Sequence, residues 1–87
     1  LVREWHIVVP ASGWVEGEEF STNQVTVSGM KAVYNPIYAS DPENLMTIDA
    51  EGEAFGLIGE METFNGYVVF KAVDIPERDT RVVIRGV

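Results

Sequence analysis

Glu60 and Glu62 are separated by one residue in an alternating run, so a β-strand would project both from one face, about 7 Å apart. Two carboxylates at that separation could serve glycoside hydrolysis, one as acid and the other as base. Any alternating strand offers the same spacing, and hairpin pairing sets Lys71 opposite Glu60, so a solvated ion pair explains these glutamates first. His6 is the only histidine. It cannot build a two-histidine metal site, and between Trp5 and Ile7 it reads as a strand imidazole, solvated or packed. Ser12 lies in Ala-Ser-Gly without the flanking glycines of a nucleophile elbow, and reads as a turn serine. Asp49, Glu51 and Glu53 could offer oxygen ligands to calcium, but the Asp-x-Asp-x-Asp-Gly loop with its distal glutamate is absent, and a solvated helix face accounts for them. No catalytic, cofactor-binding or metal-ligating residue is therefore expected. The aromatics are harder to place in so small a core. Trp14, Tyr34, Tyr38, Phe64 and Tyr67 are the candidate anchors of a subunit contact or of a stacked ligand such as a sugar.

The elements that must carry these residues are read most plainly between Leu57 and Val73. Asn65-Gly66 suits the two positive-φ positions of a type I′ turn, and the β-rich runs on either side predict a hairpin. A two-residue loop sets Phe64 against Tyr67, Glu62 against Val69, Glu60 against Lys71 and Ile58 against Val73 on a partly wet face. Thr63 with Val68, Met61 with Phe70 and Gly59 with Ala72 fall on the core face. Upstream, Arg3 to Val9 predicts a first strand ending at Pro10, with Trp5, Ile7 and Val9 on one side; Pro10 to Gly13 is a turn. Phe20 to Ser28 predicts a second strand, and Met30 to Tyr38 a third, confined to an edge or broken by Pro36. From Asp41-Pro42 to Phe55 the period changes to that of a short helix, with Leu45, Ile48 and Phe55 on one face and Asp41 or Asp49 as cap. Asp74 to Asp79 reads as a loop, and Thr80 to Arg85 as the last strand, with Val82 and Ile84 pointing one way. The expected fold is mainly β, a small antiparallel β-sandwich-like domain with one short helical insertion.

Composition narrows the function classes. The 87 residues make a single domain that buries only about 60–65% of the surface of its unfolded chain, and without cysteine neither disulfides nor thiolate metal sites can reinforce it. Oligomerisation is the remaining reinforcement. A net charge of −8, from 14 acidic and 6 basic residues, repels phosphate backbones and excludes conventional nucleic-acid binding. No apolar run reaches the ~20 residues of a membrane-spanning helix, so membrane insertion is not expected. The chain opens on Leu1 rather than methionine, which suggests a fragment of a longer protein.

The order of the pieces carries a resemblance. Trp5-His-Ile-Val-Val-Pro-Ala-Ser-Gly-Trp14, Gln24-Val-Thr-Val-Ser-Gly29, the acidic helical insertion, Asn65-Gly-Tyr-Val-Val-Phe70, Ile75-Pro-Glu-Arg-Asp79 and Val83-Ile-Arg-Gly86 follow one another across nearly the whole chain. In this order they resemble the repeated β domain of tailed-phage head fibre proteins and related virion appendages. The resemblance implies a non-enzymatic structural domain of the virion, commonly a homotrimer, in contact with other virion proteins and with host cell-surface glycan. Two readings of other classes stand beside it. An acidic nucleic-acid mimic that blocks a DNA-binding protein would use the charge of −8, although the acids are scattered over loops and strands. A small hydrolase would use Glu60 and Glu62.

Overall fold

The two strictest apolar alternations in the chain become the central strands that define the interior. The computed structural model describes residues 3–41 and 48–86. Its strands are β1 (Glu4–Val9), β2 (Ser21–Thr26), β3 (Ile37–Ser40), β4 (Ile58–Phe64), β5 (Tyr67–Ala72) and β6 (Thr80–Arg85), with one helix, α1 (Ile48–Gly56), and a 3-10 turn at Ala11–Gly13. They form two antiparallel sheets of order β1-β6-β3 and β2-β5-β4. Each sheet is centred on a strand of strict period two. Val68, Phe70 and Ala72 of β5 and Thr80, Val82 and Ile84 of β6 are buried, and the residues between them look outward. Val9, Val27, Met30 and Ile58 complete the core between the sheets. The expected fold class holds: the chain is a small antiparallel β-sandwich-like domain with one helix.

The helix stands against β3, β4 and β6. Nine residues with Gly52 inside would be marginal in water, so the helix depends on what it buries. Those residues are Glu51 and Ala54, with Phe55 partly buried against the core; Ile48, expected on the same face, is 47% exposed. Asp49 lies within the first turn, where its carboxylate favours the helix dipole, rather than at the cap. The alternative start at Asp41-Pro42 and the apolar contribution of Leu45 involve positions outside the described residues.

Three sequence expectations are corrected. The third strand begins after Pro36 rather than before it, since proline cannot donate to a ladder; Ile37–Ser40 then takes the predicted edge position beside β6. The hairpin register holds from Phe64 and Tyr67 to Glu60 and Lys71, but a bulge between Ile58 and Glu60 shifts it, so that Ile58 pairs with Ala72 instead of Val73. The extra residue, Gly59, turns Ile58 into the core and leaves Val73 79% exposed. The turn itself is not type I′. Gly66 alone has positive φ, at 89°, the pattern of a type II turn.

Asn65 is engaged elsewhere. Its Oδ1 accepts the N–H of Ala32 at 3.0 Å, while the Gly66 N–H donates to the Met30 carbonyl and the Gly66 carbonyl accepts from Val27 N–H, both at 2.9 Å. The turn is thus shaped by its dock on residues 27–32. At the opposite end Asn23, almost fully buried, donates from Nδ2 to the Pro10 carbonyl at 2.8 Å. Gly13 makes room for it, because a Cβ there would meet Asn23 Oδ1 at 2.8 Å.

Candidate functional site

Pleat parity places three rows of side chains on the outer face of the β2-β5-β4 sheet: Thr26, Tyr67 and Phe64; Gln24, Val69 and Glu62; Thr22, Lys71 and Glu60. At the hairpin end the Phe64 and Tyr67 rings are stacked, with centroids 4.9 Å apart and planes within 9°. Both are partly exposed. At the other end Lys71 Nζ is 3.3 Å from Glu62 and 3.6 Å from Glu60, and it sits 5.3 Å from the centre of the Phe20 ring. The hydrogen bond to Glu62, aided by the charge of Glu60, raises the Lys71 pKa above its ordinary value.

Lys71 lies between the two glutamates and holds both in ion pairs. The rows form a surface that is aromatic at one end and ion-paired at the other.

The five predicted anchors do not form one cluster. Tyr38 points inward from β3 and packs edge-on against Phe55 at 5.7 Å and Phe70 at 5.9 Å. Burial, with the nearby Glu60 charge, raises its phenol pKa. Tyr34 is also packed on the core; the Arg3 guanidinium lies 5.0 Å from its ring centre, and its carbonyl accepts the Thr63 hydroxyl at 3.1 Å. Trp14 packs on the core too, with its indole N–H buried and without a hydrogen-bond partner. Only Phe64 and Tyr67 come together on the surface. Phe20, not singled out from the sequence, extends their face; alternation back from Thr22 assigns it to the same side.

The outer face of the β1-β6-β3 sheet is ionic. His6 Nδ1 lies 2.8 Å from Asp41 and its Nε2 2.9 Å from Glu4, and Arg85 Nε reaches Glu4 at 3.4 Å. The hydrogen bond to Asp41 is the main cause of a raised His6 pKa. Both ring nitrogens of His6 are thus engaged, and Ser12 is exposed in the 3-10 turn. The acids of α1 are also dispersed. Glu51 is only 3% exposed and its carboxylate lies 3.7 Å from Arg81 Nε, whereas Asp49 and Glu53 face solvent. Among the described residues no three His, Cys, Asp or Glu side chains converge to hold a metal ion, and no helix is long and apolar enough to cross a membrane.

Searches with this chain against protein-family models, curated proteins and solved structures find no match.

Proposed function

We propose that this chain is a non-enzymatic structural module of a virion, a head fibre or decoration domain that works by assembling with copies of itself. The observation that carries the reading is the outer face of the β2-β5-β4 sheet. A stacked Phe64 and Tyr67 pair and the half-buried Val69 at one end, and the Phe20 ring beside Lys71 at the other, line a strip whose one lysine is ion-paired with Glu60 and Glu62. Rigid aromatics are the usual centres of subunit contacts, and the one lysine of this strip enters such a contact already ion-paired. The resemblance in motif order supports the virion setting, a trimeric assembly and contact with other virion proteins. Host-surface glycan is the ligand that the same rings would stack upon, and repetition along a fibre would multiply a weak site.

Light scattering tests the reading directly. At low protein concentration the solution mass should equal three chains, and replacing Phe64 and Tyr67 together by serine should divide it by three while leaving the far-ultraviolet spectrum of the strands intact. A dilute solution of the unaltered protein containing only single chains would refute assembly through this face.

A further inference from the structure

The four edge strands of the two sheets are not equally guarded. An open edge displays N–H and C=O groups that pair with any extended chain, and charges, bulges or covering segments normally blunt it. β1 carries the ionic cluster of Glu4 and His6. β2 is covered at Thr22, which exchanges hydrogen bonds of 2.8 and 2.9 Å with Val15. β4 has the bulge at Gly59 and the charges of Glu60 and Glu62. β3 has neither charge nor bulge within Ile37–Ser40; α1 packs against its inward Tyr38, and among the described residues no bridge covers its edge. Its outer face carries Ile37, 73% exposed, beside a shallow notch of about 60 Å³ lined by Ile37, Tyr38, Ala39, Val83 and Arg85.

We infer that the β3 edge pairs with the β3 edge of a second copy of this chain, antiparallel about a two-fold axis beside Ala39, joining two three-stranded sheets into one of six strands. The backbone sets the geometry. Asp41 N–H donates to the Arg81 carbonyl, so by alternation Ile37, Ala39 and Asp41 bond toward β6, and Tyr38 and Ser40 turn their N–H and C=O groups to the open edge. A two-fold axis that keeps inner side chains inside must pair residues of like parity. With Ala39 opposite Ala39, Tyr38 and Ser40 of each copy exchange hydrogen bonds with Ser40 and Tyr38 of the other. The central pair is then of the closely spaced, non-hydrogen-bonded kind, which suits alanine.

Charge selects a second copy over an unrelated strand. The outer face beside β3 carries Arg85, opposite Ile37 and 3.4 Å from Glu4, then the uncharged Ile37, Ala39 and Val83, then Asp41, opposite Arg81 and 2.8 Å from His6. An antiparallel two-fold brings Arg85 of each copy toward Asp41 of the other, where it would extend the ion pairs that each already makes. Arg85 and the second copy's Asp41 are then two strand spacings apart, about 10 Å between Cα atoms, within reach of an arginine side chain.

A short edge with four outward groups makes a weaker contact than an aromatic face, so this pairing appears as a doubling of mass at high concentration. Light scattering from micromolar to millimolar protein should show the doubling. Ala39→Lys, which sets two ammonium groups face to face at an exposed position, should abolish it without changing the mass at low concentration. Arg85→Glu should weaken it, and Asp41→Arg added to Arg85→Glu should restore it. Lysine at Val33, 88% exposed and away from this edge, should leave it unchanged. The inference falls if the mass does not double, or if it doubles equally in Ala39→Lys. Failure of the aromatic-face reading would show separately, as a starting mass of one chain instead of three.

Discussion

The two sheets share a plan and differ in what they show to solvent. Each has three antiparallel strands with the most buried in the middle, yet one outer face is an ionic lattice of Glu4, His6, Asp41 and Arg85, and the other carries the stacked rings and one lysine held between two glutamates. Burial dictates the inward residues of β5 and β6 in nearly the same way. The outward residues are free of that demand, so the contrast between the faces is where a functional difference can be written. Ion pairs on an exposed face hold little energy and change with pH, whereas stacked rings supply apolar area for a contact.

The comparison rests on a common core, and the largest expected effect comes from breaking it. Phe70 is fully buried in β5 and touches Tyr38 of the opposite sheet, so Phe70→Ala should cost about 3–5 kcal/mol in urea unfolding. A loss below about 1 kcal/mol would mean that the two faces are not mounted on one interior. Next is the turn that ends the aromatic strip. Gly66→Ala forces a side chain into positive φ and should cost about 1–2 kcal/mol, while Asn65→Ala, at negative φ, should lose only its bond to Ala32, about 1 kcal/mol. A smaller loss for Gly66→Ala than for Asn65→Ala would contradict the turn geometry.

Smaller still is the stack itself. A double-mutant cycle on Phe64 and Tyr67 should give a coupling of about 0.5–1.5 kcal/mol within one chain, and a value near zero would leave the rings as separate surface residues. The ionic face is probed by pH. The His6 pKa is raised above 6.5, so its contribution is complete below pH 6.5, provided the carboxylates are ionised, and fades as pH rises through the folded-state value. His6→Gln should therefore lower the melting temperature slightly near about pH 5.5 and not at about pH 9, since an exposed cluster is worth little. A larger deficit on the alkaline side would invert the assignment.

Much of this architecture could be read from residue order alone. The pairing of Phe64 with Tyr67 through Glu60 with Lys71, the last strand and the edge position of the third all followed from period two, turn residues and proline. The bulge did not, because Gly59 fits a regular strand as well as a kinked one until Ile58 has a core to enter. Pro36 announced a break but not on which side the strand would survive. The aromatic anchors divided for a reason of volume: two small sheets need Trp14, Tyr34 and Tyr38 to fill the space between and around them. Buried Glu51 gave no sequence signal, since a carboxylate on an amphipathic helix ordinarily faces water. His6 and its two acids are far apart in the chain and meet only through strand register.

A hairpin tip is ordinarily where a sheet breathes first, and its amides exchange with solvent ahead of the rest. Here the tip is held by residues from a remote part of the chain: Ala32 bonds Asn65 across a sequence separation of 33, and Met30 and Val27 bond the two sides of the Gly66 peptide. The Met30 carbonyl that takes the Gly66 N–H belongs to a residue only 1% exposed, whose side chain is anchored in the core. In deuterated solvent the Gly66 amide should accordingly keep its proton nearly as long as the central strands keep theirs, making the outermost point of the most local element one of the last places to let water in.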